Sequence, residues 1–425
     1  MPPSQWHRLL RRFRFTSQRL LRTLTTAREI ARRQRALVAL TLVALIVAVH
    51  FLFVPPANRW SIFVDTTLTV LTTLAIAYVS LDYFVPYLQS SERNRIMVPS
   101  AVVEYYDSPA SFITPVAIPD WDRQLPTDSI PVATEHVPDQ PVPIDELQIE
   151  DTDSYYEFPP RLTALFEPRL DDLEALFFRE GHFSTIQARL NRIDGGTLFM
   201  SRTSYFRSFV TNFCPDYELY KTRTLRDLTR NMLFEDDDHL RPLSESPLSD
   251  HLGVAGLVMT HEGGVLLSIR GRAVAIDKKT KALSFSGSVS HGIGGENVVR
   301  SSLLTELRQE LGIEEEHVQA IQYLGTIRRM ERLGKPDAVA ILLVDEQATW
   351  QNASTESASV NRAELDTQSP IEEAGALFEE SVAESILEVI AGELSNSPYR
   401  AEIGILAFVY LFALHSEITV SGAAD

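Results

Sequence analysis

Nineteen consecutive residues, ALVALTLVALIVAVHFLFV from Ala36 to Val54, carry no formal charge. At ~1.5 Å rise per residue such a run crosses a hydrocarbon core of roughly 30 Å, so a spanning helix is expected over 36–54. A short break, Pro55 to Ser61, separates it from Ile62 to Leu88, which is apolar apart from Asp65, Asp82 and several hydroxyls. This reads as a second span over 62–88, and the two together make a two-helix transmembrane hairpin. Trp60, Tyr83 and Tyr87 fall near the ends of the second span, where amphipathic rings prefer the headgroup layer. Ten arginines and one acid, Glu29, precede the first span in residues 1–35; Arg93 and Arg95 follow the second, and Arg59 lies between them. That asymmetry puts both termini on the cytosolic side of a multi-pass protein. A cleaved secretory signal is the competing reading, but the apolar core is long, no small-residue cleavage site follows it, and a second span comes next. The Arg-rich leader also has the composition of an organellar transit peptide, which leaves the membrane's identity open.

Within the second span, Asp65, Thr69, Thr72 and Ser80 fall within about 100° on a helical wheel. In one reading the hydroxyls bond to helix backbone and Asp65 sits at the interface. In the other, several hairpins assemble and the stripe faces a water-filled pore, because ionisable groups in spans face protein or water. The leader alternates Leu and Phe with Arg at helical spacing and is suited either to lie on an anionic leaflet or to act as a topology signal.

The whole chain has 39 Lys+Arg against 57 Asp+Glu, a net charge of −18. Since the leader is +9, the remaining 390 residues carry −27, which argues against binding bulk nucleic acid and leaves room for a small nucleotide pocket. The single cysteine, Cys214, has no disulfide partner within the chain and reads as a small buried hydrophobe. Residues 89–160 are acidic and hold eleven prolines from Pro99 to Pro160, the composition of an extended spacer. Residues 161–425 read as the cytosolic domain. Arg161–Arg179, Leu225–Leu233, Val298–Leu311 and Ala374–Leu394 are helical in pattern; Gly253–Thr260 and Val265–Arg270 form a hairpin; Ala273–Ile276, Leu283–Ser290, Gln319–Ile327 and Ala338–Val344 are strands. Gln351–Ser369 reads as a surface loop, and Ile403–Leu414, too short to span, as a buried helix. Strands flanked by helices make an α+β or α/β sandwich.

Gly295-Glu296 precede a helix that ends Thr305-Glu306-Leu307-Arg308-Gln309-Glu310-Leu311-Gly312-Ile313. Glu306 and Glu310 are four residues apart and share a helix face, where two carboxylates suit a hard divalent cation. With Leu266–Arg272 and Ser286-Gly287-Ser288-Val289 ahead of it, this stretch resembles a Nudix box, G-x5-E-x7-R-E-U-x-E-E-x-G-U with U aliphatic. Glu306, Leu307, Glu310, Gly312 and Ile313 fit it. Thr305 stands where the family has Arg, Gln309 replaces the first acid of the pair, and Glu296 lies ten residues from Glu306 instead of nine. The resemblance covers 252–344 and implies an α+β Nudix-like α/β/α sandwich. It implies Mg2+ on Glu306 and Glu310 if the site is active, with Glu296 assisting water attack. The two departures remove a ligand charge and an orienting Arg, which weakens metal-assisted hydrolysis.

The order of leader, two spans, linker and Nudix-like domain resembles the two-helix membrane effectors of bacterial cyclic-oligonucleotide antiphage signalling (CBASS). That resemblance implies a bacterial inner-membrane homo-oligomer. Its soluble domain would sense a cyclic nucleotide, with no cofactor required, through Arg270, Arg272, Glu296, Glu306 and Glu310, and its spans would permeabilise the bilayer. The alternative is a membrane-anchored Nudix hydrolase that cleaves a nucleoside diphosphate derivative with Mg2+.

Overall fold

The computed structural model describes residues 97, 99–106, 112–113, 130–179, 184–220, 223–235, 239–270, 280–291, 297–350, 357–365, 370–395, 397 and 400–416. Both expected spans, the Asp65, Thr69, Thr72 and Ser80 stripe, the strand at 273–276, Arg272 and Glu296 lie outside these residues. No helix among the described residues is long and apolar enough to cross a membrane.

The chain divides into two units, Met1–Asn94 with Arg169–Gly181, and Arg95–Pro168 with His182–Asp425. In the first, the described part is a helix at Leu170–Arg179 that buries Leu173, Leu176 and Phe177 at helical spacing, with Asp171 and Asp172 in its first turn. The expected domain over 161–425 is therefore interrupted at 169–181.

The second unit is built on a mixed sheet. In chain order its helices are α1 (Pro99–Tyr106), α2 (Pro160–Phe166), α3 (Leu225–Leu233), α4 (Val298–Leu311), α5 (Glu380–Ser395) and α6 (Ile403–His415). Its strands are β1 (Val132–His136), β2 (Ile149–Tyr155), β3 (Ile186–Asp194), β4 (Thr197–Ser204), β5 (Gly253–Thr260), β6 (Gly264–Arg270), β7 (Thr280–Ala282), β8 (Phe285–Ser288), β9 (Val318–Arg329), β10 (Lys335–Val344) and β11 (Ser357–Glu364). The main sheet runs β1-β9-β10-β5-β6-β7, with β8 on β5 and β11 on β6.

Its centre is the parallel pair β5 and β10, in register from Gly253 opposite Asp337 to Thr260 opposite Val344. Every residue of both strands is buried, which is why GVAGLVMT reads as a continuous run without polar alternation. One face, including Val254, Val258, Ala340 and Leu342, packs on Leu303, Leu307 and Leu311 of α4. The other, including Ala255, Leu257, Val339 and Ile341, packs on Ile386 and Ile390 of α5 and Phe408 and Phe412 of α6. These are the layers of an α/β/α sandwich. The far edge of β5 is shared. Val258 and Met259 pair with β6, while Gly253 to Gly256 pair with β8. At the split the Val258 N–H donates to Ser284 Oγ at 2.7 Å, so the diverging strands leave no orphaned amide there.

Two stretches differ from expectation. The acidic Pro-rich stretch is more than a spacer: β1 pairs with the end of β9, Val132 opposite Arg329, and β2 joins the smaller sheet beside β4. Pro131 precedes β1, which lies at the sheet edge, where a missing amide donor is tolerated. Residues 357–364, expected in a loop, form β11 along β6.

A buried ion pair joins α1 to this framework. Arg226 and Asp216 are 0% and 1% exposed, with Arg226 Nε donating to Asp216 Oδ1 at 2.7 Å. Asp216 Oδ2 also accepts from the Met97 N–H at 2.8 Å. Arg226 donates to the carbonyls of Met330 at 2.7 Å and Glu331 at 3.0 Å, in the turn between β9 and β10. Arg230 donates to the Tyr105 carbonyl at 3.1 Å, and the Tyr105 hydroxyl donates to Asp227 at 2.9 Å. Replacing Arg226 by Met leaves a buried carboxylate without its cation. We expect a loss of about 3–5 kcal/mol in denaturant unfolding, part of it recovered in the double variant Arg226→Met/Asp216→Leu.

Candidate functional site

Helix α4 begins at Asn297, whose side chain accepts from the Arg300 N–H at 2.9 Å, and ends at Gly312, whose φ of 71° lets the chain leave in the left-handed region. Leu303, Leu307 and Leu311 turn one face to the sheet, and that face also carries Glu310 inward. Glu310 is 7% exposed, and its Oε1 accepts from the Ser286 N–H of β8 at 3.2 Å. Glu306, one turn earlier, lies over Gly287: a Cβ at that glycine would collide with the Glu306 carboxyl, so the missing side chain is what admits the glutamate. Arg270, at the end of β6, donates from Nη1 to Ser286 Oγ at 2.8 Å. Arg270, Glu306 and Glu310 thus converge on two residues of β8, Ser286 and Gly287.

The two departures from the box have structural consequences. The Thr305 hydroxyl donates to the Ser301 carbonyl at 2.7 Å within its own helix, and Gln309 is exposed. Among the described residues no group of three or more His, Cys, Asp or Glu gathers in metal-binding geometry. Beside the start of α4, a cleft of about 580 Å³ is lined by residues including Asp145, Gln148, Asp151, His291 and Asn297, a volume in the range of small-ligand sites.

Sequence reasoning missed a second cluster, at the amino ends of β5 and β10. Arg329 Nη2 lies 2.5 Å from Glu402 Oε1, and Nη1 lies 3.6 Å from Asp337; Nε bonds Glu331. Lys335 pairs with Asp337, and both lie over Gly253, where a Cβ would collide with them. Burial by itself would raise the pKa of Glu402; the guanidiniums of Arg329, Arg270 and Arg332 outweigh it and hold the carboxyl below its usual value. Burial drives Lys335 the other way, from an ordinary 10.5 to about 8, and Asp337 restores only part of the loss. His251, fully buried and stacked on Phe213 at 5.4 Å, has its pKa held well below 6.5 by burial and by Lys335 and Arg332. The members come from four places in the chain, so no local pattern marks them. Gly253 at a strand start beside a Lys-Pro-Asp run was the available signal.

No family model and no curated protein matches the chain. Solved structures similar to part of it include a protein from Deinococcus radiodurans, 14% identical, covering 42% of this chain and 97% of that one at a TM-score of 0.26. The MutT protein of Methanosarcina mazei is 15% identical over 38% of this chain and 91% of its own, at 0.25. An Ap4A hydrolase of C. elegans is 16% identical over 33% and 98%, at 0.22. The described unit has a Nudix-like α/β layout, and that description rests on its own strand pairing and helix placement.

Two outcomes test these contacts. Gly287→Ala forces the Glu306 carboxyl away from β8 and should cost about 1–3 kcal/mol in unfolding free energy, relieved in Gly287→Ala/Glu306→Ala. Lys335 releases its proton near pH 8 when folded and near 10.5 when unfolded, so between those values the unfolded chain holds the extra proton and folding is favoured as pH rises. Unfolding free energies should therefore rise more steeply for wild type than for Lys335→Met across that window, and run parallel below it.

Proposed function

We propose that this protein is a membrane-tethered nucleotide sensor. A cyclic nucleotide binds the Nudix-like domain, the soluble units assemble, and the two-helix segments permeabilise a bacterial inner membrane in defence against phage. The carrying observation is the state of the box helix. It keeps Glu306 and Glu310 against β8 beside Arg270, while Thr305 is bonded to its own helix and Gln309 faces solvent. A binding surface persists there with less of the charge that diphosphate cleavage draws on. The bonds from Asp216 and Arg230 to Met97 and Tyr105 support a firm link between this domain and the segment that follows the expected spans.

A second reading has its own support. Glu306 and Glu310 reach one strand end from one helix face and fit a Mg2+ ion held by two carboxylates, with waters and ligand phosphates completing its shell. Such an ion would polarise a phosphoryl oxygen and activate a water. The chain would then be an anchored hydrolase of a nucleoside diphosphate derivative.

The full-length protein in detergent, incubated with Mg2+ and a panel of cyclic di- and trinucleotides and linear nucleoside diphosphates, separates the two. A fragment starting at Arg161 is unsuitable because it lacks β1 and β2. The sensor reading expects one intact cyclic nucleotide to co-elute with larger assemblies, the effect lost in Arg270→Ala and kept in Glu310→Gln. Turnover of a linear diphosphate to monophosphate, abolished in Glu310→Gln, would establish the hydrolase instead.

A further inference from the structure

We infer that β11 is a self-docking edge: its outer side pairs antiparallel with β11 of a second copy of this chain, about a twofold axis at Ala363. The contact uses residues 361–365 and none of Arg270, Glu306, Glu310 or β8. It names a surface for the assembly step proposed above and takes its purpose from that reading, while the pairing itself is tested without a nucleotide.

A bare backbone edge is the first argument. Strand β11 lies along β6 from Glu364 opposite Gly264 to Ser359 opposite Ile269 without a bulge. Among the described residues no strand pairs with its other side. The Leu365 N–H donates to the Gly263 carbonyl at 3.0 Å, which sets the phase of the ladder. Leu365, Ala363, Asn361 and Ser359 turn their backbone groups to β6, so the N–H and C=O of Val360, Arg362 and Glu364 turn outward. Folded proteins guard such edges with bulges, prolines or lysines, because a bare one templates another strand. Strand β1, at the other end of the sheet, has a bulge between Thr134 and His136 and Pro131 ahead of it. Ser357–Glu364 reads SASVNRAE and has neither proline nor lysine.

Charge then selects both the partner and the register. Arg362 Nη2 donates to Glu262 Oε2 at 2.8 Å and to Glu364 Oε2 at 3.1 Å, and both carboxylates are mostly exposed. Outward-facing residues must meet outward-facing residues, which leaves a small set of registers about a twofold axis. An axis at Arg362 sets two arginines directly opposite each other, which is destabilising. An axis at Asn361 sets Arg362 against Val360. An axis at Ala363 sets Arg362 against Glu364 of the second copy, and Glu364 against its Arg362. That register gains two opposite-charge pairs on one sheet face, so the edge is complementary to itself.

The sheet face beside this edge supplies apolar surface. Val360 and Trp350 are partly buried against the cluster that holds Leu266 and Leu342, and the Arg362 guanidinium lies 5.3 Å over the Trp350 ring. A cleft of about 320 Å³ lined by residues including Glu262, Trp350 and Arg362 opens beside them. Trp and Arg are the residue types on which interfaces most depend. A five-residue strand contact is weak between free chains. Two copies tethered in one bilayer meet at a raised effective concentration, so the pairing adds to the association of the expected hairpins.

The test uses the full-length protein in detergent, without nucleotide, and copper phenanthroline as oxidant. An axis at Ala363 makes this residue a non-hydrogen-bonded pair with its own copy, Cα atoms about 4.5 Å apart and within disulfide reach. Ala363→Cys is expected to cross-link to itself at least about tenfold faster than Asn361→Cys or Ser359→Cys. Wild type, which carries the buried Cys214, gives the background. Within the Ala363→Cys chain, Arg362→Glu and Glu364→Arg should each slow cross-linking at least about tenfold, and co-expression of the two should restore it as a mixed dimer. Rescue by mixing cannot come from an ion pair inside one chain, and the cysteine comparison stays decisive if a charge variant fails to fold. Cross-linking of Ala363→Cys no faster than background overturns the self-docking edge. Fastest cross-linking at Asn361→Cys overturns the register and the charge argument with it. Loss in the single variants without rescue also overturns it and leaves Arg362 and Glu364 an internal pair. A cross-link obtained where no cyclic nucleotide is recovered keeps the edge and removes the sensor; a recovered nucleotide without the cross-link keeps the sensor and removes the edge.

Discussion

The parallel pairing of β5 with β10 is the constraint from which the rest of the described structure follows. Two adjacent parallel strands with every side chain buried need cover on both faces, and the chain supplies α4 on one and α5 with α6 on the other. Once α4 is fixed by its leucine face, Glu306 and Glu310 have one place to go, the edge of β8. Gly287 is what that edge requires to receive them. The same pairing aligns the amino ends of the strands, so Gly253 meets Asp337, and Lys335 folds over it. Along β5 and β10 the polar groups sit at the strand ends because the interiors of these two strands are apolar.

Electrostatics at those ends has two characters. Arg226 and Asp216 form a closed pair: the guanidinium has a carboxylate and two carbonyls, the carboxylate has a guanidinium and an amide, and both are out of water. Such an arrangement holds geometry and does little else. The cluster around Lys335 is a wider network, in which Arg329 touches Glu331, Asp337 and Glu402 and burial leaves Lys335 holding its proton less firmly than usual. The difference is between one isolated pair and a network that ties the ends of β9, β10 and α6 together.

Much of α4 could be read directly from sequence, because Asn297 and Gly312 mark its ends and three leucines mark its buried face. The β5–β6 hairpin was legible for a similar reason, a glycine-containing turn between apolar runs. Strand β1 was hidden by composition: prolines and acids predicted a spacer, and an edge strand tolerates both. The β3–β4 hairpin was legible but not read, since Asp194-Gly195-Gly196-Thr197 carries two positive-φ glycines, 54° and 82°, of the kind a tight hairpin turn takes. The triad of Arg270, Glu306 and Glu310 was accessible because a box-like spacing places two of its members on one helix. The Lys335 cluster was not, because His251, Arg270, Arg329 and Glu402 become neighbours only when the sheet closes.

The turn between β9 and β10 belongs to both the closed pair and the wider network, and this gives the architecture its direction. Its carbonyls at Met330 and Glu331 are held by Arg226, and its side chains at Arg329, Glu331 and Arg332 face the other charges. Asp216, bound to the same Arg226, holds Met97, and Arg230 from the same helix holds the Tyr105 carbonyl. The turn is therefore linked to Met97 and to Tyr105 of α1 through hydrogen bonds of 2.7 to 3.1 Å by way of Arg226, Asp216 and Arg230. Any change that moved this turn would have to displace Arg226 as well as relieve or add to the strain held at Leu333, and a ligand could drive it only as far as its affinities for the two states differ.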